Sequence, residues 1–285
     1  MSCNVCPRQC HIGRFCETPR DKFKINLWQS HLGEEPFLSG RHGSGTIFFS
    51  HCNLRCVFCQ NHQISQEQLG DLYTEKEVIE IFYYLKNLGA HNINLVSPTP
   101  YLPQLIPLLK KIKQEKFPLP IIWNSNGYEE SEPLKLLDGL VDIYLPDFKY
   151  SDDSLATQYS GAPNYFRTAQ KAILEMRTQR PRNIFKKKIM EKGIVIRHLI
   201  LPGQLKNSKK ILAWLRNNLG TDIYLSLMSQ YLPLYQAAAH PEINRKLSST
   251  EYQEICDEAC RLNFKNVFTQ DLNSSSPDLI PKFKI

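Results

Sequence analysis

Short apolar runs rich in β-branched and aromatic residues recur at 46–49, 93–96, 121–123, 143–145, 194–201 and 223–227. Each has the length and composition of a strand buried on both faces. Between them apolar residues return every three or four positions, as in Val78, Ile81, Phe82 and Leu85. That spacing predicts helices over 75–88, 102–114, 134–137, 168–179 and 209–217. Alternating strands and helices require a parallel sheet with crossover helices, either doubly wound or curled into a barrel. Six strands, with 267–269 as a seventh candidate, predict an α/β fold of the partial (β/α)6 TIM-like barrel type. A last helix is predicted over 250–262, with Ser249 or Thr250 as its N-cap.

The chain has 285 residues, 42% hydrophobic and 22% charged, which is enough apolar material for a large core and excludes wholesale disorder. Its N-terminus lacks the apolar run of a signal peptide, and no stretch approaches the ~18 apolar residues of a membrane span, so a cytoplasmic protein without membrane contact is expected. The formal charge of +7 is concentrated in Arg177, Arg180, Arg182, Lys186, Lys187, Lys188 and Lys192, opposed locally only by Glu191. This run precedes the fifth strand, as an αβ loop on the barrel face away from any active site. The position argues against a nucleic-acid substrate and leaves an acidic electron donor as a partner for the charge.

Nine cysteines are present, and seven lie within the first 59 residues. In a reducing compartment such crowding points to metal binding rather than disulfides. Cys52, Cys56 and Cys59 form a Cys-x3-Cys-x2-Cys loop directly after the first strand. Three thiolates on one loop can hold three corners of a four-iron cubane and leave the fourth iron open to a small molecule. The alternative is zinc held by these thiols and His62, as in a zinc-stabilised nucleic-acid-binding module. Cys3, Cys6, Cys10 and Cys16 supply four further thiols, enough for a second cluster or a zinc site. Cys256 and Cys260, four apart on the last helix, are expected to be packing thiols.

Polar residues collect where a barrel places its active site, at the C-terminal ends of the strands. They are Ser97 and Thr99 after the second strand, Ser125 and Asn126 after the third, Asp147 and Lys149 after the fourth, and Gln230 after the sixth. The chain divides into a cysteine-rich extension (1–44), the barrel (45–272) and a tail (273–285). The tail, with its Asn273-Ser274-Ser275-Ser276-Pro277 segment, is expected to fray or lie over the surface.

With Phe58 in the aromatic position of Cys-x3-Cys-x-aromatic-Cys, the loop resembles the signature of the radical S-adenosylmethionine (SAM) superfamily. Gln60-Asn61, Asn126-Gly127, Asp147-x-Lys149 and the 196–203 run ending in Pro202-Gly203 are similar to the branch related to pyruvate formate-lyase activating enzyme. The resemblance implies a catalytic [4Fe–4S] cluster on Cys52, Cys56 and Cys59. It also implies reductive cleavage of SAM to a 5′-deoxyadenosyl radical and removal of a hydrogen atom from the substrate. Asn61, Asp147 and Lys149 would then lie at the SAM site, joined by Phe58, Ser125, Arg197 and Gln230. Arg197 rather than His198 would point into the barrel.

The resemblance further implies a low-potential donor, flavodoxin or ferredoxin. The substrate would be a glycine of a partner protein or, alternatively, a small molecule or peptide. Two departures qualify this. Ser97-Pro98-Thr99-Pro100 replaces the Gly-Gly-Glu run that meets the methionine amine, leaving that task to carbonyls or the Thr99 hydroxyl. The additional cysteines precede the radical motif, whereas activating enzymes with extra clusters insert them after it.

Overall fold

The computed structural model describes residues 3–10, 15–272 and 281–284; the 273–277 segment expected to fray lies outside them. Seven parallel strands form the body of the sheet. In chain order, the first half of the chain contributes β1 (Phe23–His31), α1 (Pro36–Ser39), β2 (Ser44–Phe49), α2 (His62–Ser65), β3 (Asp71–Tyr73), α3 (Glu75–Asn87), β4 (Ile93–Val96), α4 (Leu102–Gln114) and β5 (Ile121–Ser125). The second half contributes α5 (Ser131–Leu134), β6 (Ile143–Pro146), α6 (Asp153–Ser160), α7 (Tyr165–Gln179), β7 (Ile184–Lys186), β8 (Ile189–Leu199), α8 (Leu205–Leu219), β9 (Tyr224–Met228), α9 (Ser249–Arg261) and β10 (Asn266–Thr269). The order is β10-β9-β8-β6-β5-β4-β2-β1-β3, parallel from β2 to β10, as the βαβ alternation requires. The expected partial barrel is therefore present, and the candidate seventh strand is β10.

The central strands, such as β2 and β6, are buried on both faces because two cores meet them. Outward-facing Leu95, Trp123, Tyr144 and Ile196 pack with helix residues such as Leu105, Leu109, Ile173 and Leu215. Inward-facing Ile122, Ile143, Leu145 and Val195 pack with Phe37 and Leu38 of α1. The connection between β1 and β2 thus enters the barrel and fills its lower interior. Asn92 Nδ2 ties it in place by donating to Leu38 O at 2.8 Å. Thr74 starts α3 with a reciprocal capping box to Glu77, a device worth about 1 kcal/mol.

Local expectations are corrected at three places: the basic segment, the cap of the last helix and Cys260. The basic segment is a hairpin, not an open loop: β7 pairs antiparallel with β8, and Lys187 and Lys188 make its two-residue turn with φ of 49° and 68°, the geometry that hairpin twist favours. Helix α9 is capped by Ser248, whose hydroxyl accepts from the Glu251 N–H; Ser249 is already helical. Cys256 packs against the core, but Cys260 is exposed. β1, within the segment expected as an extension, pairs antiparallel with β2 and continues the sheet. Among the described residues no helix is long and apolar enough to cross a membrane.

Candidate active site

A cavity of about 600 Å³ opens inside the barrel at the C-terminal ends of the strands. Cys52, Cys56 and Cys59 line it, together with Phe58, Asn61, Ser125, Asp147, Lys149, Arg197 and Gln230. The loop that carries the cysteines begins at His51, where φ is 71° and the chain turns sharply off β2. Gly127 is needed on the opposite rim: its φ is 74°, and a Cβ there would stand 2.5 Å from the Asp147 carbonyl oxygen. Asn126 is held by this turn and donates from Nδ2 to Cys52 Sγ at 3.4 Å and to Asn53 Oδ1 at 2.7 Å.

Each thiol of the triad has a hydrogen-bond partner. The Leu54 N–H donates to Cys52 Sγ at 3.4 Å. The Ser160 hydroxyl donates to Cys56 Sγ at 2.9 Å, and the Ser65 hydroxyl lies 3.2 Å from Cys59 Sγ. Burial pushes the Cys56 thiol up to about 12 and raises Cys59 as well. Such thiols ionise when a metal takes the place of the proton, and oriented donors are what a bound thiolate sulfur requires. The donor set fits an iron–sulfur cluster.

Zinc fits less well. The His62 ring stacks on Tyr235 at 4.6 Å, with Nδ1 3.3 Å from the Cys59 carbonyl and Nε2 3.5 Å from Glu67. Among the described residues, no three His, Cys, Asp or Glu side chains close on one point as ligands of a single ion do. A cubane spreads its thiolates over separate corners and does not need them to.

Lys149 Nζ donates to Asp147 Oδ2 at 2.6 Å at the cavity wall. Burial opposes the lysine's charge, but Asp147 and nearby Cys56 more than offset it, so Lys149 is held above its ordinary value and stays cationic. Phe58 is buried edge-on against Tyr231. The Gln60 side chain donates to the Gln230 carbonyl at 2.8 Å, joining the cysteine loop to the end of β9. Residues 46–215 match the model of the Radical SAM superfamily.

The chain belongs to the radical SAM superfamily.

An uncharacterized protein of Methanocaldococcus jannaschii is 31% identical over 278 residues, covering 94% of this chain and 77% of the relative. Two solved structures share the fold. Methylornithine synthase PylB has a TM-score of 0.51 at 16% identity, over 77% of this chain and 68% of that one. SuiB of Streptococcus suis, solved with S-adenosylmethionine bound, has a TM-score of 0.53 at 13% identity, over 80% of this chain and 50% of that one.

Within this radical SAM barrel the two residues of the 197–198 pair face opposite ways. Arg197 lines the cavity. His198 is fully buried on the other face, where Nδ1 meets the Phe148 carbonyl at 2.7 Å and Nε2 meets Ser208 Oγ at 2.8 Å. Thr99 is not among the residues that line the cavity: it is buried at the start of the short helical turn 99–101, and its hydroxyl donates to Glu129 Oε1 at 2.9 Å.

Glu129 is the residue the sequence does not reveal. Its fully buried carboxylate accepts from Thr99, from Trp123 Nε1 at 2.9 Å and from the Ser125 hydroxyl at 2.6 Å. Burial holds its carboxyl above the ordinary value despite the Ser125, Trp123 and Thr99 donors. It braces two rim loops from behind, and Ser125 meets the cavity with its hydroxyl already engaged.

The N-terminal cysteines sit beside the triad. Arg8 bridges to it, donating to the Asn53 carbonyl at 2.7 Å and the Gly161 carbonyl at 2.6 Å. Arg8 and Arg55 both lie over the Phe15 ring, at 3.6 and 4.4 Å. The Cys3 N–H donates to the Cys10 carbonyl at 2.5 Å. Burial pushes Cys6 up to about 11 and Cys16 higher still, and Cys16 is close enough to Cys6, Cys52 and Cys10 for their charges to raise it further.

The thiol donors give a measurable handle. Ser160→Ala and Ser65→Ala each remove a hydroxyl that meets a triad sulfur, at Cys56 and Cys59 respectively. Both variants are expected to retain iron while the reduction potential falls, because the added negative charge of the reduced cluster loses a donor. A redox titration followed by electron paramagnetic resonance checks this, and an unchanged potential in both variants contradicts it.

Proposed function

We propose that this protein uses a [4Fe–4S] cluster on Cys52, Cys56 and Cys59 to cleave SAM reductively and abstract a hydrogen atom from a substrate held in the same cavity. One observation carries the reading: the three cysteine thiols, each hydrogen-bonded, share a single cavity with Asn61, Asp147 and Lys149. The bound cluster and SAM would supply one-electron chemistry that generates a 5′-deoxyadenosyl radical.

The chain's own residues bind, orient and exclude water. Lys149 offers a cation for the ribose hydroxyls or carboxylate of SAM, and Asp147 fixes where that cation points. Asn61, Ser125 and Gln230 supply polar contacts along the wall, and Phe58 supplies an apolar one. Arg197 shapes the floor.

A cavity of about 600 Å³ is of the size that small-ligand sites have, which favours a small molecule or peptide as substrate. A glycine of a partner protein, the reading suggested by Asp147-x-Lys149 and the 196–203 run, calls instead for a broad open cleft. Cys3, Cys6, Cys10 and Cys16 are proposed to hold a second iron–sulfur cluster, rather than zinc, close to the first. A cytoplasmic flavodoxin or ferredoxin is the proposed electron donor.

Anaerobic reconstitution, dithionite reduction and an assay for 5′-deoxyadenosine test the proposal. A brown protein that forms 5′-deoxyadenosine is expected. A colourless protein that forms none overturns the proposal, and affinity for nucleic acid falling steeply with salt would support the zinc-stabilised module instead.

A further inference from the structure

The segment that plugs the barrel ends against the cavity with two adjacent acids. Glu34 and Glu35 line the cavity, although both precede the segment matched by the family model. Arg197 Nε donates to Glu35 Oε1 at 2.9 Å, and its terminal nitrogen donates to Glu35 Oε2 at 2.6 Å and also to Glu34 Oε2. Asn94 Nδ2 donates to Glu34 Oε1 at 2.7 Å. The side chains of Arg197, Glu34 and Glu35 are only 12%, 8% and 7% exposed.

Two carboxylates against one guanidinium leave a buried negative charge. The other cation on this wall, Lys149, is engaged by Asp147. A carboxylate has about four acceptor positions, and Glu34 uses two, so acceptor capacity remains on a side chain that lines the cavity. Asn94, fully buried, holds Glu34 from outside the cavity lining, and its own Oδ1 has no hydrogen-bond partner. The excess negative charge meets the cavity through Glu34 and Glu35, and it is costly unless a cation there answers it. No third His, Cys, Asp or Glu among the described residues completes a metal-ligating group here, which favours an organic cation over a metal ion.

We infer that Glu34 and Glu35, with Asn94 holding Glu34, form the substrate end of the cavity and recognise an ammonium or guanidinium group of the molecule that donates the hydrogen atom. The inference rests on the radical SAM reading of the same cavity and names the class of substrate. Arg197 is a positioning residue that holds both carboxylates toward the cavity.

Calorimetric titration of the unreduced, SAM-loaded holoenzyme tests it with putrescine and agmatine as cationic probes, 1,4-butanediol as a neutral one and succinate as an anionic one. The cations are expected to bind at least tenfold more tightly than the neutral and anionic probes. E34Q should weaken the cations about tenfold. Equal binding of all probes overturns the inference. So does a parallel loss of SAM affinity in E34Q, which would assign the acids to the methionine ammonium, or displacement of putrescine by millimolar KCl, which would make the site one for an inorganic ion. If E34Q does not fold, N94L and the wild-type probe series decide. Formation of 5′-deoxyadenosine without a preference for cations removes only this inference. Cation binding in a protein that forms no 5′-deoxyadenosine removes only the radical reading.

Discussion

Replacing Cys52, Cys56 and Cys59 together by alanine is expected to reduce 5′-deoxyadenosine formation by more than about 100-fold, beyond the roughly 10–100-fold that loss of an outer-shell partner costs at a metal site. The fold should survive, because the triad sits on the loop between β2 and α2, outside every strand and helix. The iron that remains is the second reading from the same variant. If Cys3, Cys6, Cys10 and Cys16 hold a cluster, iron and a visible absorption band persist. If they hold zinc, metal analysis finds zinc and no iron. Retention of SAM cleavage by the triple variant would remove the central claim, and a variant free of both metals would remove the second site while leaving the first intact.

The distribution of this site between legible and hidden residues has a physical cause. Strands buried on both faces are continuous apolar runs, so β4 and β5 announce themselves in sequence. The Cys52-x3-Cys56-x2-Cys59 loop is equally visible, because cluster ligation fixes both residue type and spacing on a single loop. Asp147 and Lys149 follow a recognisable strand, and their place on the rim comes from barrel geometry.

The plug is different. Residues 32–43 are neither periodic nor strongly apolar, and Glu34-Glu35 before Pro36 reads as a solvated turn until the chain is seen to pass inside the barrel. Their partner Arg197 lies more than 160 residues away, a pairing that no local pattern encodes. Glu129 is hidden for the same reason: an acid shortly before a helix normally faces water, and only the tertiary fold buries it against Thr99, Trp123 and Ser125. Thr99 was legible as a residue following the second strand, but its burial against Glu129 was not.

The largest effect on stability is expected at Arg197. Burial works against the Glu35 charge, and the Arg197 guanidinium outweighs it, holding the carboxyl below its ordinary value. Arg197→Met keeps much of the side-chain volume but leaves two buried carboxylates without their cation. Breaking a buried pair by removing one partner typically costs about 3–5 kcal/mol, which corresponds to a fall in melting temperature of roughly 10 °C for a domain of this size. The dependence on pH follows from the sign of the shift. A carboxyl depressed in the folded state stabilises it above the unfolded value of about 4.3, and that contribution is lost as the pH falls through the lowered folded value. In the variant the same carboxylates are buried and unpaired, so protonation relieves rather than removes a constraint. The gap between wild type and Arg197→Met should therefore be widest near pH 7 and narrow toward pH 5. Melting temperatures of the reconstituted proteins across that range measure it. A gap that is constant with pH would mean that Arg197 contributes through packing alone, and that the charge on the acidic pair is already balanced by a group other than Arg197.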